Sequence, residues 1–246
     1  MDPLQSRTLL AFLMGLTAAS ANVLGGYFVV RGDWSRRYLQ YFLALGAGFM
    51  LATALLEMLP EALRIAGQPA LYLALIGFFL VHFFEHTLAP HFHFGEETHT
   101  EEMAPVHAST TALLGLLIHT FFDGVAIAAG FLVSNWLGAV IFVAVFLHKL
   151  PEGFTVASLS LASGLSRRRA LLSSVYLGLA TLAGVLLTNV LRGQLRFALP
   201  LAAGVTLYVA ASDLIPEVNR ERGPWMALVV LLGAAVLLVL HHFVRV

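Results

Sequence analysis

Residues 107–132 read HASTTALLGLLIHTFFDGVAIAAGFL, an apolar stretch that carries His119 and Asp123 near its middle. A helix that crosses a bilayer needs about 20 predominantly apolar residues, and this stretch is long enough. An ionisable side chain at the centre of such a helix costs at least about 2.5 to 3.5 kcal/mol, so each one calls for a functional explanation. Positions i and i+4 share a helix face, so we expect this imidazole and carboxylate to point the same way.

The next apolar stretch, residues 136–162, repeats the arrangement. It carries His148 and Glu152, and both stretches contain the pattern His-x-x-x-acid-Gly. The connection between the two stretches is short, which favours antiparallel neighbouring helices. Two imidazoles and two carboxylates can therefore converge near the middle of the membrane.

Six further apolar stretches of spanning length flank this pair. Apolar residues make up 59% of the chain and charged residues only 11%, whereas a soluble domain carries roughly 25% charged residues. The first stretch follows Arg7 like a secretory signal, but its apolar run continues to Val30 and so favours a transmembrane helix. We predict an all-α membrane protein with one polytopic domain over residues 1–246 and eight spans, at residues 8–30, 38–60, 69–90, 107–132, 136–162, 168–191, 197–217 and 224–244.

Charge and cysteine content exclude several classes of function. The formal net charge is zero, so the basic surplus with which nucleic-acid-binding proteins neutralise phosphates is missing. The chain has no cysteine, which excludes disulfides, thiolate zinc sites and cysteine nucleophiles.

The arginines of the short connections indicate the orientation of the spans. Connections after spans 1, 3, 5 and 7 hold eight arginines, against five on the opposite side. Because cytoplasmic loops are enriched in Lys and Arg, both termini are expected on the non-cytoplasmic side. We expect an integral protein of the plasma (inner) membrane.

An internal repeat appears when the chain is compared with itself at an offset of 156. The matched stretches end spans 2 and 7, which cross the membrane in opposite directions, so the predicted repeat is inverted. It relates spans 1–3 to spans 6–8, with spans 4 and 5 as a central pair of helices. The repeated residues are Gly48, Leu51, Ala54, Glu57, Pro60 and Glu61, which match Gly204, Leu207, Ala210, Asp213, Pro216 and Glu217.

The central His and acid residues favour a divalent transition metal. Imidazole suits zinc and its neighbours, whereas magnesium and calcium prefer oxygen ligands alone. Pairing of each histidine with its acid as a contact between helices is the simpler alternative.

The acids of the internal repeat are expected to form a metal pathway that leads to the site. The alternative for Glu61 and Glu217 is that they end a helix at the interface. This pathway comprises Glu57 and Glu61 on the external side and Asp213 and Glu217 on the cytoplasmic side.

The connection at residues 91–107 is the one long polar segment, and it is expected in the cytoplasm. It combines four histidines with acidic residues and has no Lys or Arg, so it is either a weak metal-binding loop or a solvated acidic loop. Its histidines are His91, His93, His99 and His107. We assign His241 and His242, at the end of span 8, to the membrane interface.

Together these motifs, in order along the chain, resemble the ZIP family of zinc and divalent metal-ion transporters, in a bacterial-type form. The resemblance covers nearly the whole chain and implies an eight-helix bundle with a transport site between helices 4 and 5, movement of zinc or related ions toward the cytoplasm, and a homodimer. The chain departs from the common family pattern at Thr120 and Lys149, which replace residues that help to hold a second metal in some members. We therefore expect a single-metal variant, with cadmium competing for the zinc site and no organic cofactor.

Two other functions fit a buried metal. The first is an intramembrane zinc-dependent hydrolase, although no H-E-x-x-H pattern is present. The second is a receptor or scaffold with a structural metal.

Lys149 is the only lysine and lies within span 5, so a carboxylate is expected to form an ion pair with it. The candidates are Glu152, Asp123 and Asp213. A lysine that pairs elsewhere is the alternative.

Overall fold

The computed structural model describes the backbone of residues 3–32, 36–88, 106–221 and 224–244. Within these ranges the chain forms helices joined by turns and contains no strand. Short π-helices at Ala54–Met58 and Val209–Leu214 join α2 to α3 and α8 to α9. The α-helices are α1 (Pro3–Arg31), α2 (Arg36–Thr53), α3 (Leu59–Ala66), α4 (Pro69–Leu88), α5 (Val106–Val133), α6 (Asn135–Ala162), α7 (Arg167–Val190), α8 (Leu195–Tyr208), α9 (Ile215–Asn219) and α10 (Pro224–Val244).

Among the described residues, eight helical segments are long and apolar enough to cross a membrane, which confirms the predicted class and number of spans. Span 2 differs most from the prediction, because it continues beyond its predicted end at Pro60 to Ala66, whereas span 7 contains Pro216 as predicted and ends at Asn219. Each proline lies in the first turn of an α-helix that follows a π-helix. A missing N–H is tolerated at that position, so proline does not end the span.

The spans form two groups. Spans 1, 4, 5 and 6 pack against one another, and we call them the site bundle. In the flanking bundle, span 2 packs against span 8 and span 3 against span 7. The bundles meet where span 5 contacts span 2 and span 4 contacts span 7. If all eight segments cross the membrane in alternating directions, Pro3 and Val244 lie on the same side of it, which we call the terminal side.

The glycines of the His-x-x-x-acid-Gly patterns allow the site bundle to pack closely. A Cβ atom at Gly124 would lie 1.9 Å from the carbonyl oxygen of Thr181 in span 6, and one at Gly153 would lie 2.0 Å from that of Asn22 in span 1. Small residues let transmembrane backbones approach one another in this way. The two acids are therefore followed by glycine because neighbouring helix backbones touch there.

Candidate metal centre

The four central residues come together between spans 4 and 5. His119, Asp123, His148 and Glu152 are all buried, and each offers one ligand atom within 4.8 Å of the others. Nε2 of His119 lies 3.0 Å from Oδ2 of Asp123, and Nε2 of His148 lies 3.4 Å from each of those two atoms. Ligand atoms of a tetrahedral zinc ion are about 3.3 Å apart when metal–ligand bonds are about 2.0 Å long. Three of the four ligand atoms thus already have the spacing of a zinc shell.

A backbone contact orients His148. Its Nδ1 lies 2.9 Å from the carbonyl oxygen of Ala144. Because a carbonyl oxygen only accepts hydrogen bonds, Nδ1 donates and Nε2 keeps a lone pair directed at the site. Nδ1 of His119 has no hydrogen-bond partner among the described residues.

The ammonium of Lys149 lies inside the site. Its Nζ is 2.6 Å from Asp123 Oδ2, 2.5 Å from Glu152 Oε2 and 3.2 Å from the hydroxyl oxygen of Thr120. The Thr120 hydroxyl donates to Oε1 of Glu152. Since Lys149 is fully buried, its charge is balanced by these carboxylates rather than by water.

Asn22 of span 1 contacts the centre and was missed by the sequence interpretation. With its amide nitrogen oriented toward acceptors, it donates to the carbonyl oxygen of Lys149 at 2.6 Å and lies 3.3 Å from Glu152 Oε2. A buried asparagine in a transmembrane helix is itself a signal, because it requires hydrogen-bond partners. The sequence does not show which helix supplies them.

The four acids predicted to form a metal pathway do not belong to the cluster of the four central residues. Glu57 and Asp213 are buried in the two π-helices. Glu61 forms an ion pair with Arg64 at 2.5 Å, and Glu217 lies 3.4 Å from Arg220. The histidines of the 91–107 connection lie outside the residues whose side chains are described.

His241, assigned from the sequence to the membrane interface, also makes a polar contact on the terminal side that the sequence did not indicate. Nδ1 of His241 lies 2.5 Å from Oε1 of Glu57, and the indole N–H of Trp136 donates to Oε2 at 3.2 Å. Span 8 packs against span 2 in the flanking bundle, which brings the end of span 8 to Glu57.

Comparison with known proteins places the chain in a family. The family model described as ZIP Zinc transporter matches residues 6–112 and 107–241. Zinc transporter ZIP9-B of Xenopus laevis is 26% identical over 259 residues, which cover 84% of each chain. Zinc transporter ZIP4 of Homo sapiens is 36% identical over 114 residues, 45% of this chain and 18% of that protein, so the chain spans less than a fifth of that relative. Zinc transporter SLC39A7 of Rattus norvegicus is 30% identical over 48% of this chain and 27% of its own length. The chain belongs to the ZIP zinc transporter family.

Proposed function

We propose that this protein transports divalent transition-metal ions, zinc foremost, across the membrane through the centre formed by His119, Asp123, His148 and Glu152. The observation that carries the proposal is the spacing of 3.0 to 3.4 Å among two imidazole nitrogens and one carboxylate oxygen, inside helices that are long enough to span a bilayer. Imidazole and carboxylate together favour zinc over magnesium or calcium.

Transport fits the centre better than hydrolysis. A hydrolytic zinc site keeps one coordination position open for water, whereas four side chains here can fill a tetrahedral shell. The family match supports a transporter and gives no support to the hydrolase alternative. A receptor or scaffold would bind the ion without moving it, so a flux measurement separates that case.

The centre holds one metal ion in this proposal. Lys149 places its ammonium among Asp123, Glu152 and Thr120, where a second cation would otherwise find three oxygen atoms. The ammonium neutralises carboxylate charge without acting as a ligand, and it repels a second ion.

The route to and from the centre passes the buried carboxylates of Glu57 on the terminal side and Asp213 on the opposite side. Both lie in π-helical turns that precede a proline, at corresponding positions of the proposed inverted repeat. Such irregular turns occur often at functional sites. Alternating access would then arise when the site bundle moves against the flanking bundle, as in other inverted-repeat transporters.

Direction, location and assembly complete the proposal. The arginine distribution supports termini outside the cytoplasm of a plasma (inner) membrane, with metal moving inward. Cadmium should compete for the imidazole-containing centre, and two copies of the chain form a homodimer.

Zinc uptake by vesicles that contain the purified protein tests the function. Single replacement of His119, Asp123, His148 or Glu152 by alanine should abolish or severely reduce uptake at similar protein yield. The control is His242→Ala, which removes an exposed histidine at the end of span 8 and should leave transport normal. Normal uptake by three of the four variants would place the transport site elsewhere, and binding without flux would favour the receptor or scaffold.

A further inference from the structure

A polar cluster on the terminal side joins three spans well away from the transport centre. The Glu57 carboxylate of span 2 is enclosed, with one oxygen at 2.5 Å from His241 of span 8 and the other accepting from Trp136 of span 5. Trp136 precedes His148 by twelve residues on the same helix, which corresponds to about 18 Å along the helix axis. The cluster is therefore a separate location.

The chemistry of this cluster is that of a metal ligand pair. Imidazole nitrogen and carboxylate oxygen both bind zinc, and here Nδ1 of His241 points directly at Oε1 of Glu57. A tetrahedral ion bound by both atoms would require a separation of about 3.3 Å, so the side chains need to open by less than about 1 Å. The His241 side chain is 41% exposed, so an ion can approach from outside the bundle.

Trp136 orients the carboxylate of this pair. Its N–H donates to Oε2, which directs Oε1 toward His241. Partners of this kind, bonded to a liganding group, restrict its orientation and raise its metal affinity. The contact also links the site bundle, which contains span 5, to the flanking bundle, which contains spans 2 and 8.

We propose that Glu57 and His241 form an outer capture site for a divalent transition-metal ion, with Trp136 as its positioning residue and water completing the shell. Because the capture site has only two protein ligands, it binds the metal ion more weakly than the central site does and releases the ion readily. The purpose of the site rests on the proposed transport function, but its binding is testable without transport.

Fluorescence of Trp136 provides a direct measurement. Trp34→Phe and Trp225→Phe leave Trp136 as the only tryptophan of the three in the chain. Cobalt(II) titrated into this purified single-tryptophan protein should quench the emission in a saturable manner, and excess zinc should reverse the quenching. Removing the central site with His119→Ala and His148→Ala should leave the quenching in place, and Asp123→Asn serves as a second background if that double variant is poorly folded.

Variants of the cluster decide the assignment. Glu57→Gln and His241→Gln should each raise the cobalt concentration at half-quenching about tenfold or more. His242→Gln is the matched control, because His242 is next to the site in sequence but exposed, and it should leave the titration unchanged. Quenching that is absent, that survives both cluster variants, or that disappears with the central site would overturn the proposal.

The same proteins keep the two proposals distinguishable. Zinc uptake without Trp136 quenching would contradict only the capture site. Quenching without uptake would contradict only transport.

Discussion

Replacing Lys149 with aspartate should convert the centre from one bound zinc ion to two. With neutral imidazoles, the carboxylates of Asp123 and Glu152 and the ammonium of Lys149 leave a formal charge of −1 in the buried centre. One zinc ion brings it to +1, and a second would bring it to +3 without water to solvate the excess. Because uncompensated buried charge is very costly, the unmodified protein should bind one ion.

Lys149→Asp changes this charge balance to −3, and two zinc ions return it to +1, the value that one ion produces in the unmodified protein. The three carboxylates can then hold two ions about 3.5–4 Å apart, as in two-metal sites. Lys149→Ala has a formal charge of −2, so one ion neutralises it, and we expect one tightly bound zinc and weaker discrimination among metals.

The same variants should lose stability without metal and recover it with zinc. Removing one partner of a buried ion pair costs about 3–5 kcal/mol, and Lys149 contacts two carboxylates. Free zinc at about 1,000 times its dissociation constant contributes about 4.1 kcal/mol, a comparable amount. Thermal unfolding with and without zinc measures the recovery, and metal analysis after removal of free ions measures the stoichiometry. Two ions in the unmodified protein, or unchanged stoichiometry and selectivity in Lys149→Asp, would refute the reasoning.

Three other predictions follow from the packing and the proposed route. Gly124→Ala forces a Cβ against the Thr181 backbone and should lower stability by about 1–3 kcal/mol in thermal unfolding. Gly115→Ala should not, because the described residues beyond its own stretch of helix place no atom within 4 Å of the added Cβ. Single cysteines can be placed beside Glu57 and beside Asp213 in this cysteine-free chain, and their thiol-labelling rates should change in opposite senses when zinc is added. Equal labelling at both positions, unaffected by zinc, would instead indicate an open pore. Cadmium should inhibit zinc uptake at lower concentrations than manganese, since imidazole ligands favour cadmium, and equal inhibition would contradict an imidazole-containing centre.

Local properties of the chain were enough to predict the number of spans and the gathering of His119, Asp123, His148 and Glu152 in one place. The length of an apolar stretch decides whether a helix can cross the membrane, and i, i+4 spacing decides which side chains share a face. His119 with Asp123 and His148 with Glu152 could be paired on that basis alone. The end of span 2 could not be predicted in this way, because Pro60 is tolerated only since it lies in the first turn of a new α-helix that follows a π-helical turn.

Only the tertiary structure decided which residues of distant spans meet. From the sequence, Lys149 could reach Glu152, Asp123 or Asp213, and the fold places it against the first two. Asn22 beside the centre and His241 beside Glu57 likewise depend on how spans 1, 5, 2 and 8 pack. Helical periodicity is a property of one segment of the chain. The rotation and depth of a helix against its neighbours arise instead from close packing at small residues such as Gly153. Contacts between helices are therefore settled only when the bundle assembles.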